Sequence, residues 1–191
     1  TGYFDMTAYQ KFNDGEMSDY IPTDEEIAAS LTRGHADYLA GNWSLDDIPL
    51  FIPHLRGSGS PYKNRHTRGL FYGLGDTLNI DMLIASVSLG LTMEFANCFA
   101  CFNVPGTSAL KVIGPATQNP LWLQLKADIL QGPVEAIAFN EAVSVGALLT
   151  AAPDIPPPQV TIAQRLLPNR ARYHQLQRYQ HKWKSWYQLK L

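Results

Sequence analysis

The stretch from Lys111 to Ala152, KVIGPATQNPLWLQLKADILQGPVEAIAFNEAVSVGALLTAA, restricts this chain more than any other. It reads as two consecutive strand–turn–helix units. Val112-Ile113 is a short apolar strand that runs into Gly114-Pro115-Ala116-Thr117. Leu121, Trp122, Leu125 and Ile129 then recur at three- and four-residue steps, the spacing of one helix face. Gly132-Pro133 is expected to stop that helix, as glycine and proline do just past a helix end. Val134 to Phe139 is a second short strand, and Glu141 to Ala152 a helix of small residues closed by Pro153.

A turn that leaves a strand and opens a helix can seat an anion, because its backbone N–H groups are free and the helix dipole is positive there. Gly146 and Ala147 would let another backbone or a flat ligand come close. Many α/β proteins carry such turns without a ligand, so the physics of this stretch alone assigns no function.

The rest of the chain supplies a scaffold. Thr23-Asp24-Glu25-Glu26 is a capping box that opens a helix carrying Ile27, Leu31, Tyr38 and Leu39 and ending near Gly41. Its acids are read as capping and solvation, not as a metal site. Asn13-Asp14-Gly15 is a turn signal. Ile48–Pro53 and Leu70–Leu74 are short strands on either side of a polar loop. Asn79 caps a helix from Ile80 to about Phe99 that is apolar almost all round, which predicts a central packing helix. Cys98 and Cys101 are the only cysteines; with no second ligand pair at metal spacing they are expected as two buried thiols.

Composition bounds the function. With 46% hydrophobic and 17% charged residues the chain is globular, and a net charge of −2 gives no general pull toward nucleic acid or anionic lipid. Residues 155–191 hold seven bases and no acid, but the aromatic residues Tyr173, Tyr179, Trp183, Trp186 and Tyr187 interleaved with them suit a helix packing its aromatics on a core, not a nucleic-acid surface. No apolar run approaches the ~18 residues of a membrane span, so none is expected. Few cysteines and the absence of a signal peptide lead to the expectation of a cytoplasmic protein.

The long stretch resembles the nucleotide-binding part of the FGGY carbohydrate kinases, of the xylulokinase and glycerol kinase type. That pattern runs from a glycine-rich turn through Pro-Leu-Trp, an Ala-Asp helix, Gly-x-Pro-Val and Glu-Ala-x-x-x-Gly-Ala. Here it is Gly114-Pro115-Ala116, Asn119-Pro120-Leu121-Trp122, Ala127-Asp128, Gly132-Pro133-Val134 and Glu141-Ala142 before Gly146-Ala147. Phe51-Ile52-Pro53-His54-Leu55 with Gly57 and Pro61, and Arg68-Gly69-Leu70-Phe71 with Gly73-Leu74, extend the resemblance upstream.

The resemblance implies an α/β fold: a partial ribonuclease H-like (actin-like ATPase) domain with a C-terminal amphipathic helix. Residues 1–152 would be the C-terminal actin-like domain of a sugar kinase, starting after that domain's first strands. Residues 153–168 would be a proline-rich linker and 169–191 a helix packing on the domain. It implies ATP and Mg²⁺, a sugar or polyol acceptor, the N-terminal actin-like half of the same polypeptide as partner, and a possible homodimer. Gly114 and Ala116 would line the phosphates or ribose, Asn119 the adenine side, and Glu141 and Gly146 the adjoining wall. Pro115 stands inside the turn with no N–H to offer. The family's catalytic Asp lies in a Gly-Asp segment that this chain lacks, so no catalytic residue is expected here and the Asp belongs to the missing N-terminal part; no metal ligand is expected either. Ser58-Gly59 and Leu89 replace charged family residues, which leaves a non-catalytic domain serving in assembly or regulation as the alternative.

Overall fold

The computed structural model describes residues 22–102, 109–139 and 141–188; the turn signal at Asn13-Asp14-Gly15 lies outside them. Helix α1 (Asp24–Ala40) begins with the capping box: Thr23 N donates to the Glu26 carboxylate at 2.8 Å, and Glu26 N donates to the Thr23 hydroxyl at 3.2 Å. Gly41, left-handed at φ 90°, ends it. Strands β1 (Leu50–Ile52) and β2 (Leu70–Tyr72) form an antiparallel pair with Phe51 opposite Phe71. Helix α2 (Ile80–Phe99) starts where the Asn79 side chain accepts from Met82 N.

The second sheet holds β3 (Leu110–Val112), β4 (Val134–Ile137) and β5 (Ile162–Leu166) in the order β3-β4-β5. Strand β4 runs parallel to β3 and antiparallel to β5. Between β3 and β4 lie a 3₁₀ turn (Pro115–Gln118) and α3 (Pro120–Leu130). Helix α4 (Ala142–Ala151) separates β4 from β5, and α5 (Arg170–Gln188) follows.

One core joins α1, β1, α2, α3 and α5 around Leu89 and Met93, both fully buried. A smaller one, Leu123 and Ala127 against Val134, Ala136 and Leu166, seats α3 on the sheet. Gly90 lets α2 lie directly on β1: a Cβ there would collide with the Phe51 carbonyl oxygen. Helix α5 is pinned by polar tips as well as rings, since Tyr179 OH donates to Pro49 O at 2.9 Å and Trp183 Nε1 to Phe51 O at 2.7 Å. By length and composition α2 would pass for a membrane span. Its Ser86, Ser88 and Thr92 are nevertheless buried against neighbouring elements, as in a core helix.

Two expectations are corrected. The segment 153–168 is not linker throughout, because residues 162–166 form β5; its Gln164 and Arg165 looked like linker until β4 supplied their pairing partners. The cysteines are not buried: Cys98 is half-buried and Cys101 exposed, at the end of α2 beyond the packed stripe. The stop expected at Gly132-Pro133 holds, since α3 ends at Leu130 with Gln131 as its left-handed cap (φ 52°) directly before that pair.

Candidate functional site

Parallel pairing of β3 with β4 brings two loops to one edge of the sheet. Val112 lies opposite Ala136, so Gly114, two residues beyond β3, and Glu141, four beyond β4, both follow carboxyl ends. In α/β sheets that edge is where ligands collect.

Gly114 has φ 79° and ψ −166°, a conformation open in practice to glycine alone. No heavy atom lies within 4 Å of where its Cβ would stand, so the backbone is accessible. Its carbonyl is occupied, accepting from Thr117 N at 3.0 Å and from the Thr117 hydroxyl at 2.7 Å. Pro115 opens the 3₁₀ turn and brings no donor. Ala116 follows, and its carbonyl accepts from Asn119 N at 3.3 Å.

Asn119 caps α3: its Oδ1 accepts from Trp122 N at 3.0 Å. The amide nitrogen makes no hydrogen bond among the described residues and remains a free donor. Asn119 and Trp122 also line an apolar groove of about 450 Å³ with Ile27, Leu31 and Leu91. None of the other five expected site residues lines that groove, although Asn119 closes the same 3₁₀ turn that Gly114 opens.

Glu141 stands at the start of α4 and accepts from the Ser144 hydroxyl at 3.3 Å. Its side chain makes no capping bond to the amides that open α4. Gly146 lies inside α4 with open space around it, and no residue of α4 is buried.

Beneath the edge the register sets Lys111, Glu135 and Arg165 in one row across the sheet. Glu135 is buried and lies 3.6 Å from Arg165 Nε, while Lys111 is exposed. Sequence reasoning missed this row because it rests on β5. No group of three or more His, Cys, Asp and Glu side chains converges among the described residues, so they provide no ready Mg²⁺ cage. A nucleotide fits better, since the open Gly114 backbone would let a ligand approach closely.

Residues 10–153 match the family model described as the C-terminal domain of the FGGY family of carbohydrate kinases. Over 100 residues the chain is 31% identical to a glycerol kinase of Rippkaea orientalis, an alignment covering 51% of this chain and 20% of that protein. Its structure resembles ligand-bound xylulose kinase from Lactobacillus acidophilus, with a TM-score of 0.68, 16% identity, and coverage of 93% of this chain and 37% of that one. It also resembles Plasmodium falciparum glycerol kinase with ADP, with a TM-score of 0.63, 13% identity, and coverage of 97% and 36%. The chain spans about a fifth to a quarter of the length of the curated relatives it matches.

Proposed function

The chain belongs to the FGGY family of carbohydrate kinases, matching its C-terminal domain, and from that premise we propose that it is the nucleotide-facing part of an ATP-dependent sugar or polyol kinase with an actin-like ATPase fold. The parent enzyme would transfer the γ-phosphate of ATP to a hydroxyl of the acceptor. The observation that carries this reading is the parallel β3–β4 pair with the Gly114 turn at its carboxyl edge. Phosphoryl transfer depends mainly on positioning and on stabilising charge at the phosphates. Gly114 would let the nucleotide approach the backbone, and Ala116 would keep the turn narrow. The Asn119 amide nitrogen would donate to the base, and Glu141 with Gly146 would form the neighbouring wall. Pro115 offers no N–H to a phosphate, so this part of the protein would hold the base and ribose while the N-terminal half supplies the catalytic Asp and the surroundings of Mg²⁺. The same reading places the enzyme in the cytoplasm and makes a homodimer the assembly to look for.

Calorimetric titration of the full-length parent with Mg-ADP tests it, using Asn119→Asp beside Asn119→Ala. Both substitutions remove the amide donor, but Asp keeps the helix cap. Loss of affinity in both, with loss of thermal stability only in the Ala variant, supports a ligand-facing Asn119. Unchanged affinity in the Asp variant would sink that role.

A further inference from the structure

The apolar groove of about 450 Å³ lies between α1, the start of α3 and the stretch of α2 from Ile80 to Leu91. That stretch is about 16 Å long at the rise of an α-helix. Only Ser88 and Asn119 among the lining residues are polar, and none is charged. Ile27 and Leu91 are left 37% and 38% exposed there. Two donors accompany the apolar wall. One is the Asn119 amide nitrogen, whose Oδ1 partner is spent on the helix cap. The other is Trp122 Nε1, which is buried and makes no hydrogen bond among the described residues. A buried indole N–H ordinarily finds an acceptor. Apolar side chains with backbone carbonyls between them would meet both needs, which is the chemistry of a polypeptide.

The chain itself enters at this groove. Thr23 caps α1, so Pro22 stands just before the cap and Ile27 is the fourth helical residue. Both line the groove. Apolar residues at these two positions are those of a hydrophobic staple, which fixes the angle at which the chain enters a helix. Residues 1–21 lead directly into Pro22 and carry Tyr9, Phe12, Met17, Tyr20 and Ile21. An extended chain gains about 3.3–3.6 Å per residue, so about five residues span the α2 wall and the segment has length to spare. Tethered at Pro22, it meets the groove at an effective concentration on the order of millimolar, ahead of any second copy.

We propose that residues 1–21 dock in the groove between α1, α2 and α3, placing apolar side chains against Leu31, Val87 and Leu91 and a backbone carbonyl on the Trp122 N–H. Docking covers the exposed parts of Ile27 and Leu91 and ties the segment to three helices of the core. The proposal does not rest on the kinase reading, and its test involves no nucleotide.

The test uses the whole protein with Leu91 replaced by the photoreactive p-benzoylphenylalanine. Irradiation should give an intramolecular cross-link that peptide mass mapping places within residues 1–21. Trypsin gives a second measurement, because Lys11 is the one tryptic site in that segment. Cleavage after Lys11 should be at least about tenfold slower than in a free peptide of residues 1–21, since it requires the segment to leave the groove. Phe12→Ser combined with Tyr20→Ser removes two anchors without touching the core. It should bring cleavage back toward the free-peptide rate and lower the yield of the cross-link. A cross-link to a second copy, one elsewhere in the polypeptide, or none at all would overturn the proposal. Cleavage after Lys11 at the free-peptide rate in the unsubstituted protein would overturn it as well.

Discussion

The Tyr38 hydroxyl donates to Asp128 Oδ2 at 2.6 Å, tying α1 to α3 through two side chains that are almost wholly buried. The other carboxylate oxygen accepts from Gln124 Nε2 at 2.7 Å and from Asn169 N at 2.6 Å, just before α5. One carboxylate thus fixes three segments that lie far apart in the chain. Burial pushes its pKa up, while the bonds from Tyr38, Asn169 and Gln124 and the charge of Arg172 oppose that rise.

Asp128→Ala strands three donors and should cost about 2–4 kcal/mol in urea unfolding. Asp128→Asn should cost under about 1 kcal/mol, because an amide oxygen can still accept from Gln124 and Asn169 while its nitrogen donates to the Tyr38 oxygen. The pH dependence distinguishes the two forms. A carboxyl whose folded pKa lies above its ordinary value contributes stability that is present at low pH and lost as pH rises through the folded value. Asp128→Asn should therefore gain on the unsubstituted protein as pH rises from the ordinary carboxylate range toward neutrality. A difference that stays flat with pH would contradict the buried, raised carboxyl.

Lys126 is 5% exposed, with its Nζ 3.3 Å from the centre of the Trp122 ring and 5.2 Å from that of Phe95. Burial lowers its pKa from 10.5 to about 8. A base depressed in the folded state weakens folding while charged, and that penalty fades as pH rises from about 8 toward 10.5. Lys126→Met keeps the length of the side chain and should raise Tm by about 2–4 °C at pH 7. The gain should shrink at pH 9.5, where both proteins are scanned by calorimetry. An equal gain at both pH values would show that packing, not charge, is responsible.

Local chemistry written in short spans was legible in the sequence. Thr23 and Glu26, Asn79 and the apolar girth of α2 each act within a few residues of themselves, so their roles need no knowledge of the rest of the fold. What escaped depends on distant partners. Ile162–Leu166 becomes a strand because β4 offers it an edge. Lys126, a solvent-seeking type, is buried because Trp122 and Phe95 come from two helices.

Gly114 and Gly146, expected together in one site, should answer alanine in opposite ways. At Gly114 the φ of 79° and ψ of −166° force alanine into strain even though the space is open. The cost should be about 1–3 kcal/mol. Gly146 is inside α4, also with open space, and alanine there should stabilise by about 0.5–1 kcal/mol. Denaturant midpoints of the two variants, measured side by side, decide it.

Gly90 and Trp183 meet on a single atom, the carbonyl oxygen of Phe51. A Cβ at Gly90 would collide with that oxygen, and the Trp183 Nε1 hydrogen bond of 2.7 Å holds it from the other side. Gly90→Ala must push β1 away from α2 and should cost about 2–4 kcal/mol by overpacking and by bending this bond. Trp183→Phe removes the donor and part of a fully buried ring and should cost about 1–3 kcal/mol. Because both act through Phe51, the double variant should lose less than the sum by about 0.5–2 kcal/mol. Strict additivity in a double-mutant cycle would mean that α2 and α5 hold β1 independently, contrary to the shared oxygen.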